Sequence, residues 1–320
     1  MRHPLHLARP GSLLLTTLTL GVSRHLSSRT VMEAAATTVA EDRERLQRHL
    51  DAVDLQASPR VELTYGSEAT GNGDTLQTLA VLDSSFNPPT RAHLHLLADA
   101  ASQLGLSNSL LLLAKQNADK PVVGASLVQR LEMMDLIAAA ADPRGSMVCG
   151  VTAHPLFVDK ASALRSLCPD GARVAVLVGF DTWVRIIDAK YYADGGLEAA
   201  LRRIFDAVEV VVASRDPSSA PNLEGSPMST EEQERVVMSL PADVTRGRVH
   251  FLQNSPQMAP LSSSAIRKAL AATAEGDGAA TSAEGSGGKP SDDGLPPHVR
   301  EMLPAVLHAY VEAQYLYREG

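Results

Sequence analysis

Short runs of valine and leucine, in which apolar side chains follow one another without alternation, recur along this chain at helix-length intervals. They read TLAVLD (78–83), SLLLLA (109–114), SMVCGVT (146–152), RVAVLVG (173–179), VEVVVAS (208–214) and RVHFLQ (248–253). A strand apolar on both faces has to be covered on both, which is the environment of a parallel sheet between helical layers. Two of the intervening segments, RAHLHLLADAASQLG (91–105) and SLVQRLEMMDLIAAAA (126–141), place apolar residues at helical spacing. The pattern predicts an α/β fold: a Rossmann-like, doubly wound parallel sheet with helices on both faces and right-handed crossovers.

Composition narrows the function classes. The formal net charge is −8 over 320 residues, which argues against a nucleic-acid-coating surface and leaves room for a local basic cleft. No apolar run is long enough to span a bilayer. The two cysteines, Cys149 and Cys168, suggest neither a metal-ligand spacing nor a disulfide framework, so a reducing compartment and no protein-held metal are expected.

The expected organisation has four parts. Residues 1–32 carry Arg2, Arg9, Arg24 and Arg29 and no acid before Glu33, the composition of a leader or disordered N-terminus. A mitochondrial transit peptide has this character; a secretory signal and a start at Met32 are the rivals. The expected location is cytoplasmic or nuclear, with mitochondrial as the alternative. Residues 33–272 form the α/β domain, opening on an amphipathic helix over 33–57. Within it, 66–74 is a turn-rich loop and 215–235 a polar loop or lid. Residues 273–294 are small, polar and acidic, without a large apolar residue, and read as a disordered insertion. Residues 295–320 return as a C-terminal helix on the same domain, with Pro304 interrupting it or starting a turn.

The chemistry concentrates at two places. SSFNPPTRAHLHLL (84–97) joins the first apolar run to the first helix. In an open parallel sheet, ligands bind beyond the carboxyl ends of the strands, where helix N-termini present unpaired N–H groups. Pro88 and Pro89 stiffen that turn, Thr90 can cap the helix, and His93 falls in its first turn, where a cationic or hydrogen-bonding imidazole suits a polyphosphate. A proline-stiffened loop with a partly buried histidine is the plainer alternative. PLSSSAIRKAL (260–270) sets three serines at a helix start with Arg267 one turn inside, an anion nest with a guanidinium clamp. An ordinary serine-capped helix competes with that reading.

Together the two stretches resemble the nucleotidyltransferase superfamily, whose ATP-phosphate motifs run G-S-F-N-P-x-T-x-x-H and I-S-S-T-x-I-R. The Thr-x-x-His form is similar to eukaryotic nicotinamide mononucleotide adenylyltransferases. VLDSSFNPPT with VGFDTWVRIIDAKYY is more similar still to the fungal cytidylyltransferase-like, or promoter-of-filamentation, branch. Ser84 departs from the usual glycine, and Ser264 from the threonine. The resemblance implies the superfamily's fold and an ATP site made of Ser84, Ser85, Phe86, Asn87, Thr90, His93, Arg215, Ser263, Ser264 and Arg267, with His93 and Arg267 as the catalytic charge-bearing donors. It implies Lys120, Asp181 and Trp183 at the acceptor, where Trp183, Tyr191 or Tyr192 could stack on a flat ring; packing in the core is the plainer role for these aromatics. Arg130 also matches a family arginine, for which a helix-surface salt bridge is the plainer role.

The implied reaction transfers the adenylyl group of ATP, as its Mg²⁺ complex, to nicotinamide or nicotinate mononucleotide, releasing pyrophosphate. The implied partners are thus ATP and a phosphorylated small-molecule acceptor, with neither nucleic acid nor membrane. A cytidylyltransferase or another acceptor, an ATP hydrolase and a non-catalytic nucleotide-binding protein are the competing readings. A dehydrogenase is disfavoured because VLDSSFNPP lacks the glycine triad, and a serine hydrolase because no G-x-S-x-G follows a strand.

Overall fold

Strand β2 is the axis of the architecture, because the chain builds outward from it in one direction and then returns to build in the other. A computed structural model of the protein describes residues 28–66, 76–116, 124–192, 196–217, 228–279 and 294–318. Contacts divide the chain into Met1–Glu41 and Asp42–Gly320. In the first unit the described residues, 28–41, are helical. The sheet lies in the second.

Among the described residues one sheet contains β1 (Glu62–Tyr65), β2 (Thr78–Asp83), β3 (Asn108–Ala114), β4 (Met147–Thr152), β5 (Arg173–Gly179), β6 (Glu209–Ala213) and β7 (Val249–Leu252). Their spatial order is β1-β4-β3-β2-β5-β6-β7. Every pairing is parallel except that of β1 with β4. The six parallel strands therefore have the doubly wound order, and it reverses between β2 and β5. That reversal opens a crevice beyond the carboxyl ends of the two strands.

The helices are α1 (Ser28–Ala52), α2 (Arg91–Leu104), α3 (Leu127–Ala139), α4 (Phe157–Leu167), α5 (Phe180–Ile186), α6 (Gly196–Ala207), α7 (Thr230–Val237), α8 (Ala242–Thr245), α9 (Ser263–Ala279), α10 (Pro297–Met302) and α11 (His308–Ala313). Strand side chains alternate between two cores. Ala80 and Leu82 of β2 join the core beneath α2, α3, α9, α10 and α11, while Leu79 and Val81 join the one beneath α4, α5 and α6. Both faces of the sheet are thus buried, as the unbroken apolar runs require.

Several expectations change in detail. The antiparallel edge strand β1 was not foreseen. Helix α7 begins within the stretch 215–235, capped by Ser229 with Glu232 in a capping box; 218–227 lie outside the described residues. Helix α9 continues to Ala279, into the stretch expected to lack structure, and 280–293 lie outside the described residues. So do residues 1–27 of the expected leader. The C-terminal segment is two short helices, α10 and α11, parted at Leu303 and Pro304 by a proline-led 3₁₀ turn (Ala305–Leu307). No helix among the described residues is long and apolar enough to cross a membrane.

Candidate nucleotide-binding site

The period-two alternation of β2 carries past its last residue and sorts two polar side chains to opposite walls of the crevice. Asp83 follows Val81 to the α4 side, where its carboxylate meets Lys160 Nζ at 2.7 Å. Both side chains are about nine-tenths buried, at 8 % and 10 % exposure. Ser84 N–H still donates to Leu112 O at 3.3 Å, extending the sheet by one residue, and its hydroxyl turns to the α2 side.

There Ser84 Oγ lies 3.1 Å from His93 Nε2. Thr90 caps α2: its hydroxyl accepts from His93 N–H, and its own N–H donates to His93 Nδ1 at 2.9 Å. An Nδ1 that accepts a backbone N–H leaves the ring proton on Nε2, which therefore donates to Ser84. The imidazole is a neutral donor, not a base that could activate Ser84. Burial, reinforced by the charge of Arg215, pushes His93 down to about 4. Of the two roles expected for His93, the structure gives the hydrogen-bonding one and not the cationic one, because the ring is hemmed in by protein.

The loop between Ser84 and Thr90 is shaped from the opposite side. Phe86 has φ 46 and a fully buried ring, tilted against His93 with centroids 5.7 Å apart. That burial leaves only its backbone for a ligand, a narrower role than was expected. Asn87 is buried, and its Oδ1 accepts from Ala125 N–H at 3.2 Å.

Helix α9 closes on the same loop. Ser263 Oγ donates to Pro88 O at 2.7 Å, and Arg267 Nη1 donates to Asn87 O at 2.6 Å. Arg267 Nη2 also donates to Ser264 Oγ at 3.3 Å. The motifs at 84–93 and 262–267 are therefore one site, joined through backbone carbonyls of the first loop. Arg267 is partly exposed, and among the described residues it has no carboxylate within ion-pairing distance. A guanidinium so placed is ready for an anion. Ser85, in the same loop as Asn87, is exposed.

Arg130 departs from its expected surface salt bridge. It is buried, donating to Ala125 O at 2.9 Å and to Ser85 O at 3.3 Å, so it braces the first loop from below. Burial, with the neighbouring charge of Arg267, lowers its pKa.

Across the crevice, Asp181 stands in the first turn of α5, just beyond β5. Its Oδ2 accepts from Arg215 Nε at 3.0 Å and Nη2 at 2.7 Å. Arg215 follows β6, and Gln233 of α7 holds its backbone at both ends: Gln233 Oε1 accepts from Arg215 N–H and Nε2 donates to Arg215 O. Gln233 is fully buried. Sequence reading missed it, although an amide on the apolar side of a short capped helix was the available signal.

Trp183 is fully buried in the core beneath α4, α5 and α6. It offers no face to a flat ring, because the α5 spacing turns it inward; the expectation that it binds substrate is corrected. Tyr192 is likewise engaged, its hydroxyl donating to Ile186 O at 2.9 Å. Lys120 lies outside the described residues.

The acids at the crevice, Asp83 and Asp181, are held by Lys160 and Arg215. Among the described residues no three His, Cys, Asp or Glu converge as metal ligands. This donor set fits Mg²⁺ carried in on phosphate oxygens as part of the substrate.

A doubly wound sheet with a basic, hydroxyl-lined crevice at its switch point defines a nucleotide-binding α/β protein. Residues 81–269 match the cytidylyltransferase-like family, and the chain belongs to that family of nucleotidyltransferases. A relative from Schizosaccharomyces pombe, named "Putative nicotinamide mononucleotide adenylyltransferase", is 38 % identical over 137 residues. The match covers 42 % of this chain and 53 % of that protein, so the chain spans about half the length of this relative. Among solved structures, Plasmodium falciparum nicotinic acid mononucleotide adenylyltransferase complexed with NaAD is 12 % identical. That match covers 76 % of this chain and 98 % of the other, with a TM-score of 0.48. The same enzyme complexed with APC is 11 % identical over the same shares, with a TM-score of 0.47.

Proposed function

We propose that the protein transfers the adenylyl group of ATP to a pyridine mononucleotide, nicotinamide or nicotinate, producing the dinucleotide and pyrophosphate. The observation that carries this reading is the closure of Ser263 and Arg267 on the carbonyls of Pro88 and Asn87, at the loop that also carries His93. The relative's name supports the acceptor.

An oxygen of the acceptor's phosphate attacks the α-phosphorus of ATP. The bond from that phosphorus to the bridging oxygen breaks, and pyrophosphate leaves with the electron pair. No protein nucleophile takes part, in keeping with an imidazole that is a donor to Ser84. The chain's work is alignment and charge stabilisation. Arg267 neutralises charge on the phosphates, joined by Ser263 and Ser264 through amide and hydroxyl donors. Ser84 supplies a neutral hydroxyl donor, oriented by the His93 N–H that it accepts, and Arg130 and Asn87 hold the first loop in shape. Arg215 and Asp181 face the nucleoside. Mg²⁺ enters with ATP and offsets phosphate charge when bound. Lys120 remains an acceptor-side candidate, and the cytoplasm or nucleus remains the proposed location.

The test incubates the purified chain with Mg²⁺, either ATP or CTP, and nicotinamide mononucleotide, nicotinate mononucleotide, phosphocholine or phosphopantetheine, identifying products by mass. The expected product is the adenine dinucleotide with pyrophosphate. Hydrolysis without acceptor, a cytidylyl product, or nucleotide binding without turnover would each replace the proposal with one of its rivals.

A further inference from the structure

Tyr317, in the turn after the last helix, reaches the first loop from the C-terminal end of the chain. Its ring edge shares a tight space with the first loop. A Cβ added to Gly124, itself at φ +78, would stand 3.1 Å from Tyr317 Cε1 and 2.9 Å from Asn87 Oδ1. The phenolic oxygen is buried and has no hydrogen-bond partner among the described residues. The guanidinium charges of Arg130 and Arg267 both act on the phenol, while its burial keeps it protonated, a donor and not an anion.

The turn that carries it is left-handed at two bulky residues, Tyr315 at φ 50 and Tyr317 at φ 65. Side chains of this size rarely adopt that backbone, and such strain concentrates where a ligand is gripped. A buried hydroxyl without a partner is itself unfavourable. Tyr317 therefore combines a strained backbone with an idle donor beside two guanidiniums, at the loop where a phosphate is expected.

We infer that Tyr317 is a phosphate-positioning residue, whose hydroxyl donates to an oxygen of the bound nucleotide that Arg267 also holds. The inference rests on the nucleotide-binding reading above and adds the C-terminal turn to the site as a third wall. The oxygen is closed to bulk water, so a ligand oxygen reaches it as the turn re-seats. Recognition here is of the anionic phosphate and is indifferent to the base.

Tyr317→Phe tests this with little risk to the fold, because it deletes only the unpartnered oxygen. Its melting temperature and its affinity for a non-hydrolysable ATP analogue are measured beside those of the unaltered chain. The expected result is a melting temperature no lower than that of the unaltered chain, with affinity down about tenfold, the loss of one hydrogen bond to a charged group. Unchanged affinity makes the tyrosine merely structural and overturns the inference, as does a loss of affinity accompanied by a lower melting temperature. An unaltered chain that binds no analogue overturns the nucleotide reading as well. Binding by the unaltered chain that Tyr317→Phe matches overturns the inference alone.

Discussion

Arg267 Nη1 and the carbonyl of Asn87 meet at 2.6 Å across 180 residues of chain. One end belongs to a helix packed on the sheet and the other to the loop after its central strand. The guanidinium thus has two tasks: it fixes the loop that presents Ser84 and His93, and it leaves its remaining donors for a phosphate.

Arg267→Ala should therefore lower kcat/KM by on the order of 10²- to 10³-fold, the usual effect of removing a charge-bearing donor from a transition-state site. Arg267→Lys should recover only part of this, since an ammonium cannot span Asn87 O and a phosphate as a planar fork does. Steady-state kinetics with ATP and each pyridine mononucleotide provide the measurement. Full activity in the lysine variant would reduce Arg267 to a point charge.

His93 should stay neutral through the physiological range. The folded ring binds its proton at about 4, against 6.5 for an unperturbed histidine. Between those values the unfolded chain holds more protons, so stability contributed in full above about pH 6.5 is lost as pH falls toward 4. The shift corresponds to roughly 3 kcal/mol at most. The His93 Cε1–H resonance should show no titration between about pH 5.5 and 8. His93→Asn should flatten the acid side of the melting profile. A ring titrating near 6.5 would contradict the tautomer inferred from Thr90 and Ser84.

How much of this was legible in the sequence follows from how local each signal is. The six parallel strands could be read because burial on both faces leaves uninterrupted apolar runs, such as Val210 to Val212. Strand β1 could not: ELTY has one neighbour in the sheet and only Thr64 buried, so its pattern is that of a loop. The motifs at 84–93 and 262–267 were visible because turn, cap and anion chemistry lie within a few residues of each other. The burial of Arg130, the pairing of Lys160 with Asp83, and the roles of Gln233 and Tyr317 were not visible. Each depends on a partner brought near only by folding, such as Ser85 for Arg130 or Asp83 for Lys160.

The Asp83–Lys160 pair should behave as a buried ion pair. Removing one member, as in Lys160→Met or Asp83→Ala, strands the other charge and should destabilise by about 3–5 kcal/mol. The combined variant Asp83→Leu with Lys160→Met should recover much of that loss, since an apolar pair of similar volume has no charge to desolvate. Denaturant titrations of the three variants check this. Additive losses in the combined variant would show that the pair's partners matter more than its charge.

Trp183 is the chain's single tryptophan and is fully buried, so its emission tests whether the indole takes any part in acceptor binding. A ring buried in the core cluster that also holds Phe180, Ile186, Ile204 and Phe205 should emit at short wavelength and resist quenching by acrylamide. Adding nicotinamide mononucleotide should leave the emission nearly unchanged, because no face of the indole is open to a flat ring. Trp183→Phe opens a cavity but also deletes an indole N–H that has no partner among the described residues. The two effects oppose, so the loss in stability should stay near 1–3 kcal/mol, about the lower end for a large aromatic truncation. KM for the acceptor should remain within about twofold, because a buried core ring contributes no contact to the bound state. Strong quenching by the mononucleotide, or a large rise in KM with an intact fold, would return Trp183 to the site and require α5 to turn it outward on binding.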